Sequence, residues 1–145
     1  MSSEEVVLEA VRISAHKPLT SVSPCPDFER ITRIINSRVS SLDGQDIGKL
    51  SDVLIDLRTG KIAYAVLAEG GFFGRSNVLH AVPWSALKFD GDAKLFHIAA
   101  TAARVREDTG FQQDAWPNIE DRQWAHSLHR FYNTAPYWEP DAGHS

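Results

Sequence analysis

The chain has 145 residues, of which 43% are hydrophobic and 23% are charged, so its length and composition fit one globular domain with flanking tails. Fifteen basic and nineteen acidic residues give a formal net charge of −4, without any lysine and arginine cluster, which disfavours a nucleic-acid partner because phosphates need positive charge opposite them. The longest apolar runs are too short to span a bilayer.

Residues 1–30 are expected to form a flexible N-terminal segment. Glu4 and Glu5 stand where a signal peptide would carry basic residues, which predicts a cytoplasmic protein. Proline and serine are frequent between residues 14 and 26, a composition typical of an irregular linker. The single cysteine, Cys25, lies in this linker and excludes an internal disulfide, in agreement with a reducing compartment.

Residues 31–100 are predicted to form a β domain, because short β-rich segments alternate there with tight turns. Asp43-Gly44 indicates a hairpin turn, since glycine tolerates the positive φ that such a turn demands. Pro83 lacks a backbone donor and should end the fourth strand or place it at an edge. After a helical turn at residues 31–35, the predicted strands are 38–42, 48–57, 61–69, 77–82, 86–89 and 94–98.

Residues 70–74 interrupt these strands with three glycines around two aromatic side chains. The segment lacks the Lys-Ser/Thr ending of a phosphate-binding loop and opens no helix, so we interpret it as a wide loop with sharp backbone turns. If both rings are exposed, they form a partner-binding patch, because adjacent exposed aromatic residues are costly without a partner. The glycines assigned to structural turns are Gly44, Gly48, Gly70, Gly71 and Gly74.

Residues 101–145 are expected to form a C-terminal extension with a helix over residues 121–132, capped by Asp121. Trp124, Leu128 and Phe131 fall at helical spacing on one side, which indicates an apolar face that packs on the β domain or on a second subunit. The opposite side is predicted to carry Arg122, His126, His129 and Arg130.

The chemistry-bearing residues form few arrangements that suggest a reaction. His126 and His129 stand three apart on the predicted helix and could face one metal ion, although so loose a spacing is rarely a site. Asp52 and Asp56 should share one strand face, where carboxylates either bind a cation or, more often, pair with turn amides and basic side chains. No nucleophile with an adjacent base is visible, so we expect neither an enzyme nor a cofactor.

One ordered set of motifs connects the chain to a known family. It consists of DGQDIGKL at residues 43–50, Asp52, Asp56, RTGK at residues 58–61, Tyr64, GGFFG at residues 70–74 and VPW at residues 82–84. The set resembles the PRC-barrel family, a module found in the photosynthetic reaction centre H subunit and in the ribosome maturation factor. The tail from Trp116 through PYWE at residues 136–139 resembles the extension of stand-alone bacterial members.

The resemblance implies a mainly β protein, a small PRC-type barrel of about five to six antiparallel strands with a C-terminal α-helix. It favours a non-enzymatic protein-protein interaction or scaffold module, with a protein or a second copy as partner. A homodimer is expected because the tail supplies more aromatic surface than one barrel flank covers. The alternative is a small-molecule or metal sensor using the barrel mouth or the two helix histidines. The residues expected to contact a partner are Phe72, Phe73, Arg75, Trp84, Trp124, Tyr137 and Trp138.

Overall fold

The computed structural model describes residues 28–70 and 78–139. Its described strands are β1 (Arg38–Ser40), β2 (Asp46–Asp56), β3 (Lys61–Glu69), β4 (Leu79–Pro83), β5 (Leu87–Asp90) and β6 (Leu95–Ile98). Its described helices are α1 (Ile31–Ile34), α2 (Ala102–Glu107) and α3 (Arg122–Phe131). None of these helices has the length and apolar character required to cross a bilayer.

The six strands form one sheet in the order β4-β3-β2-β1-β6-β5. All neighbouring strands are antiparallel except β1 and β6, which pair in parallel. The mainly β class and the C-terminal helix are therefore confirmed, while the expectation of antiparallel strands throughout is not met at this one pair. The exception arises because a β5-β6 hairpin, entering from the far edge of the sheet, lays its second strand beside β1.

The sheet is rolled, although its two edge strands are not hydrogen-bonded to each other. Pro83 ends β4 as predicted, and a single 3-10 turn, Trp84–Ala86, leads directly into β5 at the opposite edge. A connection of this length spans at most about 14 Å, so the two edges must approach each other at this corner. The result is a barrel-like shape that encloses an apolar interior.

The interior of the rolled sheet holds the main hydrophobic core, and the segment after the sheet contributes to it. Ala102 and Val105 of α2, together with Tyr132 after α3, belong to the same buried cluster as the strand residues. Thr101 caps α2 by accepting a hydrogen bond from the Arg104 N–H, and Asp43 accepts one from the Ala102 N–H. The start of α2 is thereby tied to the β1-β2 turn, 59 residues earlier in the chain.

β3 is buried on both faces along its central residues. Ala65 and Leu67 face the main core, while Ala63 and Tyr64 contact the C-terminal segment. A shift in strand register between Leu54 and the next residue of β2 accompanies this change of face. The strand therefore serves as the floor on which the C-terminal segment is assembled.

Gly48 allows β2 and β3 to approach each other closely. Its φ is +136°, and a Cβ atom at this position would lie 2.1 Å from the carbonyl oxygen of Ala68. Gly44 also has a positive φ of +79°, as the hairpin prediction required, but it borders open space. Gly48 is therefore needed because a side chain would clash with β3, whereas Gly44 is needed only for its backbone conformation.

We expect Gly48→Ala to destabilise the protein by about 3 kcal/mol or more, because it adds a backbone clash to the conformational strain. Gly44→Ala is the matched control and should cost about 1 kcal/mol, since only its backbone conformation is unfavourable. Urea denaturation followed by tryptophan fluorescence measures both values. Equal losses for the two variants would contradict the close approach at Gly48.

Candidate functional site

The C-terminal segment packs on the outer face of β3 around the ring of Tyr64. The ring centroid of Trp124 lies 5.4 Å from that of Tyr64, and the Tyr137 centroid lies 5.6 Å away, both in edge-on geometry. Such aromatic pairs add attraction beyond the burial of their area. The predicted aromatic face of the helix is thus satisfied within the chain, and residues 134–138 fold back over it.

Asp121 caps α3 as predicted, through a hydrogen bond that its side chain accepts from the Gln123 N–H. His129, however, does not lie on an exposed polar face as expected. Its ring is buried and its centroid lies 5.5 Å from that of Tyr64. The prediction failed because the returning segment with Tyr137 covers a wider strip of the helix than the apolar pattern alone indicates.

Both ring nitrogens of His129 have backbone partners. Nδ1 lies 2.8 Å from the carbonyl oxygen of Ala125 and must donate to it, while Nε2 accepts from the Tyr137 N–H at 3.3 Å. Burial of the ring lowers the pKa of His129. A metal shared with His126 would have to displace one of these bonds, and no group of three or more metal-ligating side chains occurs in residues 28–70 and 78–139.

Asp56 connects the β2-β3 hairpin to the C-terminal segment. Its carboxylate accepts hydrogen bonds from the Arg58 guanidinium at 3.2 Å and from the Tyr137 hydroxyl at 2.7 Å. The Arg58 side chain, followed by the Tyr137 hydroxyl, holds the pKa of Asp56 well below its usual range. Burial and then the bond to Asp56 raise the pKa of Tyr137. Asp56 thus fits the structural role considered for strand carboxylates. Among the described residues, the side chain of Asp52 accepts a hydrogen bond only from its neighbouring Val53 N–H.

A cleft of about 310 Å³ lies between the hairpin and the C-terminal segment. Arg58 and the exposed Leu57 stand on the hairpin side, and Arg122 stands on the helix side with its guanidinium carbon 4.1 Å from the ring centroid of Trp138. The rest of its lining is formed by Leu54, Ile55, Asp56, Ala63, Tyr64, Ile119, Glu120, Ala125, Tyr137 and Trp138.

The predicted partner-contact residues fall into three groups. Trp124, Tyr137 and Trp138 come together in the C-terminal segment and are largely occupied by contacts within the chain. Trp84 lies elsewhere, half-buried with its ring 5.8 Å from that of Phe96. The described part of the loop retains only Gly70, which borders open space. The loop predictions that lie outside the described residues are Gly71, Phe72, Phe73, Gly74 and Arg75.

A buried histidine also links α2 to the sheet. His80 of β4 places Nδ1 3.1 Å from the Asp108 carboxylate and Nε2 3.5 Å from the Glu69 carboxylate. The exposed His97 is paired with Asp90 at 3.2 Å. Each of these two strand histidines therefore has a carboxylate hydrogen-bonded to one ring nitrogen, whereas the buried Nε2 of His80 makes no hydrogen bond among the described residues. The partnership with Asp108 was not foreseen, because it depends on where α2 ends in space.

Sequence reasoning missed the combination of Tyr64, Arg58 and Arg122 at the cleft. Tyr64 entered only as one position of a family motif, and Arg122 was assigned to the solvent face of the helix. Their proximity depends on how far the C-terminal segment folds back over β3. The available signal was Tyr64 itself, the single large aromatic side chain in β3. Burying a side chain of this size requires other large side chains to pack against it.

A rolled six-stranded sheet covered by a C-terminal helix defines a small, mainly β barrel module. The sequence matches the PRC-barrel domain family over residues 26–105, more than half of the chain, so the chain belongs to the PRC-barrel family. The match confirms the resemblance seen in the motifs. It ends before α3, so one wall of the cleft lies outside the family domain. A search of curated proteins found no match.

The Asp56 contacts predict a pH-dependent contribution to stability. The pKa of Asp56 is depressed in the folded state, so its contribution is fully present above its unfolded value of about 3.9 and is lost as the pH falls further. We expect Asp56→Asn to lower the free energy of unfolding at neutral pH, with a deficit that shrinks below about pH 4. Urea denaturation at several pH values measures this deficit.

Asp114→Asn is the control, because Asp114 is exposed and its side chain makes no hydrogen bond or ion pair within the described ranges. It should leave the free energy of unfolding unchanged at every pH tested. An Asp56→Asn deficit that stays constant down to about pH 2 would show that the carboxylate charge is not what its partners recognise.

Proposed function

We propose that the chain is a non-enzymatic protein-protein interaction module that associates with a second copy of itself through the end of the β2-β3 hairpin. The observation that carries this proposal is the exposure of two neighbouring aliphatic side chains, Leu57 at 91% and Ile55 at 43%. We call these two residues the hairpin patch. Neighbouring exposed apolar groups are costly in water, and a protein partner would remove that cost.

Self-association is supported by the charges that surround the hairpin patch. Arg58 and Lys61 are exposed on the hairpin, whereas the exposed Glu120 lines the opposite side of the cleft and is followed by the exposed Asp121. A two-fold axis through the patch would set the basic side of each copy opposite the acidic side of the other. Isologous pairing of this kind needs a surface that is complementary to itself, which this charge arrangement supplies.

The C-terminal aromatic residues support the hairpin patch as the contact surface in a different way. Trp124 and Tyr137 were expected to leave apolar area for a partner, but both pack against Tyr64 of the same chain. Dimerisation is therefore proposed on the exposed hairpin residues and no longer on surplus aromatic surface in the tail. Membership in the PRC-barrel family agrees with an interaction module and leaves the particular partner to experiment.

The proposal assigns structural roles to the polar groups that would otherwise suggest chemistry. Both ring nitrogens of His129 are hydrogen-bonded to backbone groups. The carboxylate oxygens of Asp56 accept hydrogen bonds from Arg58 and Tyr137. A general base needs a free lone pair within reach of a substrate, which these two groups do not offer. A cytoplasmic location and a partner other than nucleic acid remain predictions from composition and charge.

We expect Leu57→Asp to weaken self-association by about tenfold or more, because it places a charge in the centre of the proposed apolar contact. Sedimentation velocity over a range of protein concentrations measures the dissociation constant. Leu42→Asp is the matched control, since Leu42 is also exposed, at 70%, but lies in the β1-β2 turn away from the hairpin patch. This control should dimerise like the parent chain.

A parent chain that stays monomeric at about 100 μM would refute the proposed dimer and leave the patch for a different protein. Equal dissociation constants for the Leu57→Asp variant and the parent would place the dimer contact elsewhere on the surface. Loss of the dimer in both leucine variants would indicate a general effect of added charge and would also count against the hairpin patch.

A further inference from the structure

Tyr64 carries a buried hydroxyl group for which the described residues offer no hydrogen-bond partner. The side chain is only 2% exposed, and it lines the cleft between the hairpin and the C-terminal segment. Leaving such a group unsatisfied costs free energy, so a buried polar group without a partner demands an explanation. One such explanation is a ligand that accepts the hydrogen bond of the Tyr64 hydroxyl.

Tyr132 provides an internal comparison. Its hydroxyl is equally buried and equally lacks a partner among residues 28–70 and 78–139. Tyr132, however, belongs to the main core, whereas Tyr64 stands at the wall of an open cleft. Of the two tyrosines, only Tyr64 therefore belongs to the wall of a cleft that opens to solution.

The charges around the cleft define what the missing acceptor should be. Burial, followed by the charge of Tyr137, raises the pKa of Tyr64, so its hydroxyl remains protonated and can donate. Arg122 lines the same cleft, and its positive charge acts against this rise in the pKa of Tyr64. Within the described ranges no carboxylate lies within 4.0 Å of the Arg122 guanidinium, whose contact is the face of Trp138.

Two carboxylates line the cleft, Asp56 and the exposed Glu120, and only Asp56 is fully occupied within the chain. Both oxygens of Asp56 accept hydrogen bonds from Arg58, and one of them also accepts from Tyr137. The cleft therefore offers two donors without an acceptor among the described residues, the neutral Tyr64 hydroxyl and the Arg122 guanidinium. Beside them, Leu54, Ile119 and Trp138 supply an apolar wall. Small-molecule sites typically have an apolar lining with a small number of well-positioned polar groups. The cleft volume of about 310 Å³ is within the size range of such sites.

We propose that this cleft binds a small organic carboxylate with an apolar body. One carboxylate oxygen would accept from the Tyr64 hydroxyl, the charge would pair with Arg122, and the body would contact Leu54, Ile119 and Trp138. The ligand would join the family domain to the C-terminal segment outside it, because each supplies part of the site. This ligand site goes beyond the proposed self-association, and it borders the proposed dimer contact because Ile55 and Leu57 of the hairpin patch also line the cleft.

Isothermal titration calorimetry with phenylacetate tests the proposal on the full chain. Phenylacetamide, which has nearly the same shape without the charge, and inorganic phosphate, which has charge without an apolar body, are the comparison probes. We expect phenylacetate to bind at least about tenfold more tightly than either, because only it satisfies both the donors and the apolar wall. It should also raise the Tm of the chain.

Two pairs of variants assign the binding to the cleft. Tyr64→Phe and Arg122→Gln should each weaken phenylacetate binding by about tenfold or more, the effect of losing one hydrogen bond to a charged group. Tyr132→Phe and Arg130→Gln are the matched controls, since they change the same residue types outside the cleft, and both should bind like the parent. Tyr64→Phe and Tyr132→Phe remove hydroxyls without partners, so both should keep or raise the Tm.

Absence of phenylacetate binding up to about 10 mM would overturn the proposal. So would equal affinities for phenylacetate and phenylacetamide, because the cleft would then not select a carboxylate. Unchanged binding by Tyr64→Phe, with the variant folded, would remove the central contact and overturn it as well. Each of these outcomes leaves the dimer test at Leu57 unaffected.

Discussion

The packing of Tyr64 against the C-terminal segment is the contact on which the rest of the structure depends. β3 lies next to the edge strand of a rolled sheet and presents large apolar groups on both faces, so one face remains exposed unless a second layer covers it. Trp124 and Tyr137 supply that layer edge-on. The extension after the family domain is therefore part of the folded unit, and the cleft exists because its cover is incomplete near the hairpin.

Polar groups beneath this cover differ in whether they have a hydrogen-bond partner. His129 and Asp56 are surrounded by donors and acceptors that satisfy them, and each bonds to Tyr137 or its backbone. Such bonds hold the returning segment in one position, because breaking either leaves a desolvated polar group. The Tyr64 hydroxyl is buried in the same cluster without such a partner. That contrast within one cluster distinguishes groups that hold the fold from a group available to a ligand.

Much of the fold was predictable where the cause is local. Asp43-Gly44 and Pro83 act through their own backbone conformations, and Asp121 caps a helix through an N–H two residues away. The site was less predictable because its contacts are distant in sequence. Asp56 meets Tyr137 across 81 residues, and whether His129 faces solvent depends on a segment that folds back after the helix. The sequence pattern placed His129 on the polar face of the helix because histidine is a polar residue. Packing instead buries it as a neutral ring.

The sequence by itself determined the family, the succession of strands and turns, and the presence of an aromatic C-terminal helix, since periodicity and turn chemistry act over a few residues. Only the tertiary structure decided that the aromatic face is satisfied within the chain and that β1 and β6 run in parallel. It alone brought Tyr64 and Arg122 to one cleft. These features depend on which apolar surfaces pack against each other. The hydrophobic effect is non-directional, so the sequence pattern does not predict which of several apolar surfaces will meet.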